Sequence, residues 1–266
     1  MKLKTLLATG ILALGLLAAA CGGGGDDDGG NATTGGSSGA VIPAADADRV
    51  AHEALPTVED LPGEGWLMIG EDQFDSGSGA DFLEFIQGNP ECETLQNLAT
   101  LQDVFGGGDE GDAPVGRAQV EFENQDPDAL IPTSIEVEIE IDESAAASRG
   151  EFTLVKELFE SEETSNCIIS VLNNQFAESG PAGVEIEVKA GSGSASPPED
   201  GARMAFDIDM SIAGIELAMA MQMYFWPYGN ANVQVLFLGT NETLTSDLVG
   251  DVLEATDEKL KTAAGD

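Results

Sequence analysis

The strictest alternation of apolar and polar residues lies at positions 135–142, where Ile135, Val137, Ile139 and Ile141 interleave with Glu136, Glu138, Glu140 and Asp142. Period-two patterning predicts a strand with one face on a core and one face in water. The acidic row is therefore read as a solvated face, with a cation held along it as the alternative. Weaker alternation predicts further strands at 66–69, at 118–123 with Val120 and Phe122 inward, and at 184–188, 204–212, 215–226 and 232–238. On the long strand Ile215, Leu217, Met219, Met221, Met223 and Phe225 share one face. Ala213-Gly214 suits a two-residue hairpin turn, and Pro227-Tyr228-Gly229-Asn230 a longer one.

Spacings of three and four mark the helices. A short one is expected at 46–55. Another opens on Asn89 as cap and Pro90 at the first helical position, carries Cys92, Leu95, Leu98, Gln102 and Phe105 on one stripe, and stops at Gly106-Gly107-Gly108. Residues 151–179 read as helix broken around 161–165, with Thr164 or Ser165 capping the second piece and Cys167 in its first turn. A closing helix over 243–263 shows an apolar side of Leu244, Leu248, Val249, Val252, Leu253 and Leu260, with Lys259 and Lys261 near its end. Strands and helices in separate runs, joined by hairpins, predict one α+β domain over about 46–264. It should hold an antiparallel sheet of six or seven strands with helices mainly on one face.

Ahead of this body, Lys2 and Lys4 precede an uncharged apolar run at 6–17, then Ala18-Ala19-Ala20 and Cys21. That layout matches a secretory signal, and the run is short for a ~30 Å hydrocarbon core. It resembles the bacterial lipoprotein signal. The resemblance implies that residues 1–20 are removed and that Cys21 is lipidated as the new N-terminus. It also implies a body held on the outer face of the cell membrane or of an outer membrane. Residues 21–45 are rich in Gly, Asp, Ser and Thr and are expected to be a disordered tether, with a reach of roughly 27 Å. The D-L-P-G-x-G-W phrase at Asp60-Leu61-Pro62-Gly63-Glu64-Gly65-Trp66 resembles the opening of secreted bacterial lipoprotein domains of unknown role.

The formal charge is −39, and loss of Lys2 and Lys4 with the signal takes it to −41. Such a body repels nucleic acid and anionic headgroups. With Cys21 assigned to lipid, Cys92 and Cys167 form an even pair in an exported protein and are read as a disulfide, two free thiols being the alternative. The lone histidine, His52, excludes a two-histidine zinc site and leaves a Ser-His-Asp triad without an elbow. The G-x-S-x-G match at Gly35–Gly39 lies in the tether, between no strand and no helix. The sequence has no phosphate-cradling G-x-x-x-x-G-K-[ST], no dinucleotide G-x-G-x-x-G placed after a strand, and no EF-hand loop. Paired carboxylates for glycoside hydrolysis are statistically unavoidable among 49 acids, but two Trp and two Tyr give little to stack a sugar on. No catalytic residue, metal or cofactor is assigned.

Met219, Met221 and Met223, with Met204 and Met210 nearby, are read first as core filling. Met219, Met221, Met223 and Phe225 are the ligand-binding candidates if that face opens into a cavity. A thioether Cu(I) site is the remotest reading. The expected function is a membrane-anchored, non-catalytic binding or sensing module for an unidentified small-molecule, lipid or envelope-protein ligand; the alternative is a carrier of apolar molecules.

Overall fold

The computed structural model describes residues 39–71, 89–93, 114–125, 131–179, 184–198, 200–212 and 214–265. Cys21, the tether up to residue 38 and the helical stripe expected at 95–105 lie outside these. Seven strands are present: β1 (Trp66–Glu71), β2 (Gly116–Asn124), β3 (Thr133–Ile141), β4 (Val184–Ala190), β5 (Ala202–Ile212), β6 (Ile215–Tyr228) and β7 (Ala231–Gly239). They form one sheet in the order β1-β2-β3-β7-β6-β5-β4, with every neighbouring pair antiparallel. Among the described residues four α-helices accompany it: α1 (Ala47–Ala54), α2 (Ala145–Glu160), α3 (Glu162–Ser179) and α4 (Ser246–Ala264). The α+β class and the strand count match the sequence expectation.

The chain lays down β1, β2 and β3 at one edge, crosses through α2 and α3 to the other, and returns as a β4–β5–β6–β7 meander that pairs β7 with β3. The helices, expected mainly on one face, are divided between two. On the front face, Ala118, Val120 and Phe122 of β2, Ile135 to Ile141 of β3 in alternation, Val233, Val235 and Phe237 of β7, and Tyr224 and Trp226 of β6 pack in one core. That core also holds Val50 and Ala51 of α1 and Val249, Val252 and Leu253 of α4. On the back face, Met204, Phe206, Ile208 and Met210 of β5 and Met219, Met221 and Met223 of β6 pack with Ile168, Val171 and Leu172 of α3 and Leu158 of α2. The cause lies in the alternation itself. β2 and β3 are apolar toward the front and β5 toward the back, so each half of the sheet needs its cover on a different side.

Local chemistry sets the boundaries. Ser144 Oγ accepts from Ala147 N at 3.2 Å, starting α2 at Ala145 and so ahead of the expected Glu151. Ser161, not Thr164 or Ser165, caps α3, its Oγ accepting from Thr164 N at 3.2 Å, so Cys167 falls in the second turn. Tyr228 pairs with Ala231, so the β6–β7 turn is only Gly229-Asn230, with Gly229 at φ 62°. Pro227 is tolerated in β6 because the pairing with β5 has ended at Phe225. Gly116 brings β2 against α1: a Cβ there would lie 2.5 Å from the Ala47 carbonyl carbon. Pro90–Cys92 is a single turn of 3₁₀-helix.

The packed chain starts ahead of Asp46. Ile42 is buried, its N–H donates to Asn230 Oδ1 at 2.7 Å, and Asn230 Nδ2 donates to the carbonyls of Ile42 (3.1 Å) and Asp142 (2.6 Å). Cys92 and Cys167 are bonded, with Cα atoms 4.8 Å apart, in the core beneath α3. Asn89 Nδ2 donates to Ser170 Oγ at 3.0 Å beside the bridge.

Candidate functional site

On the back face the apolar surface gives way to polar positions at β7. Along that face β7 presents Asn232 and Gln234 before Leu236, β3 presents Glu136, Glu138 and Glu140, and β2 presents Arg117, Gln119 and Glu121. The register sets them in rows across three strands: Arg117–Glu140–Asn232, Gln119–Glu138–Gln234 and Glu121–Glu136–Leu236. The acidic row was expected in water. Instead Glu138 is 5 % exposed, Glu140 8 % and Asp142 7 %, with Gln234 and Asn232 buried beside them. Strict alternation reports that two faces differ in polarity; it does not report that the polar face is wet. Because β3 is flanked by β2 and β7, its side chains are shielded laterally in a way that an edge strand's would not be.

One guanidinium serves this row. Arg117 Nε lies 2.6 Å from Glu138 Oε1 and 3.0 Å from Glu140 Oε1, and its Nη2 also meets Glu138. Gln119 donates its amide to Glu136. Asn232 Nδ2 donates to Asp142 Oδ2 at 3.2 Å and to Glu151 Oε2 of α2 at 3.1 Å, while Ser148 of α2 donates to Asn232 Oδ1 at 3.1 Å. The first turns of α2 are thus fastened to the end of the row.

These surroundings disfavour the charged carboxylate. Burial, then the neighbouring Glu138 and Glu121, pushes Glu136 up to about 7. Burial alone carries Asp142 to about 6. Burial raises Glu138 despite Arg117, and burial with Glu138 raises Glu140 well above the ordinary range. Glu121 is raised by its burial and by Glu123. The arrangement is suited to holding protons and to accepting hydrogen bonds. Among the described residues no group of three His, Cys, Asp or Glu side chains is placed to hold a metal ion.

Arg117, Gln119, Asn232, Gln234 and Ser148 carry this face and none was singled out from the sequence. A signal was available. Arg117, Gln119 and Glu121 alternate with Ala118, Val120 and Phe122, as Asn232 and Gln234 do with Val233 and Val235, so three strands share one polar face.

The sequence-predicted ligand residues lie elsewhere. Met219, Met221 and Met223 are brought together at 0–1 % exposure in the back core, and Phe225 stacks on Phe152 of α2 with ring centroids 5.8 Å apart. A cavity of about 100 Å³ opens on the front face, lined by Ser194, Asp207, Ala220, Gln222, Asn241 and Leu244 among others. Gln222 Oε1 there accepts from Ser194 N, Ser194 Oγ and Tyr224 Oη at 2.8–2.9 Å. His52 is exposed on α1, its Nδ1 2.7 Å from the Asp48 carbonyl. No helix among the described residues is long and apolar enough to cross a membrane.

No family model matches the chain, and no curated protein matches it. Among solved structures it is similar to the extracellular domain of PknH from Mycobacterium tuberculosis, with a TM-score of 0.44 and 10 % identity over 85 % of this chain and 100 % of that one.

Proposed function

We propose that this chain is a non-catalytic binding or sensing module held outside the cytoplasm by lipid on Cys21. The observation that carries the reading is the Cys92–Cys167 bridge, seated in the back core beneath α3. Stable disulfides belong to oxidising compartments, which agrees with the lipoprotein-like signal ahead of it. The polar half of the back face, acidic, rich in fixed amides and largely buried, is the region whose chemistry is built rather than incidental. Between the two sequence readings, the close packing of Met219, Met221 and Met223 favours a binding module over a carrier, since a carrier would need that face to open.

Expression of Cys21→Ser in a host that processes bacterial lipoproteins tests the anchor. The expected outcome is release from the membrane fraction or accumulation of the unprocessed chain; retention and processing equal to wild type would overturn the reading. Native mass spectrometry of the purified chain separates the module from the carrier. Acyl lipid held non-covalently, beyond whatever is attached at Cys21, would favour the carrier.

A further inference from the structure

Apart from Lys2 and Lys4, the cations of this chain are Arg49, Arg117, Arg149, Lys156, Lys189, Arg203, Lys259 and Lys261. Most are committed elsewhere. Arg49 pairs with Asp46 and Glu53, Lys156 with Glu160, Lys189 with Glu187 and Asp209, Lys259 with Asp60, and Lys261 with Asp257, while Arg203 donates to the Ala195 carbonyl. Arg149 lies on the exposed side of α2. Residues 72–88, 94–113, 126–130 and 180–183 contain no Lys or Arg. Arg117 is therefore the cation that the described residues set within the row. Among the described residues the charged groups facing that row are Arg117, Glu121 and Glu123 from β2, Asp142 at the end of β3, and Glu151 from α2; β7 offers the uncharged Asn232 and Gln234.

One guanidinium cannot neutralise Glu136, Glu138, Glu140 and Asp142 together. A buried carboxylate without a countercharge takes up a proton instead. We infer that the β3 row is a proton-uptake site, through which acidification tightens the fold and rising pH loosens the sheet beneath the first turns of α2. Asn232 is the connection, bonded at once to Asp142, Glu151 and Ser148. Charging the row adds repulsion where α2 is fastened. The direction follows from linkage. The folded-state values are raised above the ordinary carboxylate range, with Glu136 at about 7 and Asp142 at about 6, so the folded chain binds more protons than the unfolded one between mildly acid and neutral pH. The stability this contributes is complete below the unfolded carboxylate values and is lost as pH rises through the folded ones. The inference is independent of the anchor: it concerns the domain wherever the chain resides.

Thermal unfolding of the full chain in detergent micelles, at fixed ionic strength from pH 5 to pH 8, tests it. The wild-type midpoint should fall by about 3 °C or more over that range. General repulsion in so acidic a chain would give the same sign, so the deciding comparison is between two charge-matched variants. E136Q/E140Q, on the row, should lose at least half of the pH-dependent shift, and E254Q/E258Q, on the exposed side of α4, should keep it. Equal shifts in the two variants, or a wild-type midpoint that rises with pH, would overturn the inference. Calcium that abolishes the wild-type pH dependence would also overturn it, in favour of a cation site. Should E136Q/E140Q not fold, infrared spectra of the wild type decide: a protonated side-chain carboxyl band persisting at pH 6.5 is expected, and its absence contradicts the inference.

Discussion

Asn230 shows how one side chain can close a fold. It sits in a two-residue turn that needs a positive φ at Gly229, and its amide reaches both the N-terminal segment at Ile42 and the end of β3 at Asp142. The Asp142 N–H returns a bond of 2.8 Å to the Asn230 carbonyl. The side-chain bonds are buried, so truncation removes the amide that serves the Ile42 N–H and carbonyl and the Asp142 carbonyl, while the Asp142 N–H keeps its backbone bond. Asn230→Ala is expected to lower the unfolding free energy by about 2–3 kcal/mol, measured by urea denaturation. A loss below about 0.5 kcal/mol would mean that water replaces the amide freely. The residue was legible in the sequence only as part of a turn. Its long-range bonds join positions 188 and 88 residues apart, which no local pattern encodes.

Among elements, the pairing of α3 with the Pro90–Cys92 turn depends on the disulfide and on the Asn89–Ser170 bond. The bridge closes a separation of 75 residues, and chain-entropy arguments place its contribution near 4 kcal/mol. Replacement of both Cys92 and Cys167 by Ala should lower stability by about 2–4 kcal/mol in denaturant titrations, and an unchanged midpoint would show the staple to be idle. Strand existence was read well from alternation: all seven strands were found at their sequence positions, because period-two patterning is local and strong in 135–142 and 215–226. Which face each strand turns to a helix was not. β6 is buried on both sides, with Met219, Met221 and Met223 behind and Tyr224 and Trp226 in front, and its second face, Ala218, Ala220, Gln222, Tyr224 and Trp226, mixes small, polar and aromatic residues that give no clear apolar signal. The division of the helices follows from that strand. The burial of Glu138 and Glu140 likewise depends on where β7 and α2 come to lie, which lies beyond the reach of the alternation that defines β3.

At the scale of the molecule, the acidity divides into two kinds. Among the described residues most acids are exposed, where like charges keep molecules apart. A few on β3 are buried around a single Arg117, where they make stability depend on pH in the opposite sense to a salt-bridged carboxylate. Asp60 supplies that contrast: it bonds with Thr57 and pairs with Lys259 at 2.6 Å, its value is lowered by those bonds against its own desolvation, and its contribution is lost only in acid. The proposed function joins the Cys92–Cys167 bridge to a body exported and anchored by lipid at Cys21. The intact mass of the mature protein taken from membranes tests this most directly. The predicted mass is that of residues 21–266 with acyl groups added at Cys21 and two hydrogens fewer for the Cys92–Cys167 bond. A mass without lipid, an N-terminus other than Cys21, or free thiols at positions 92 and 167 would contradict it.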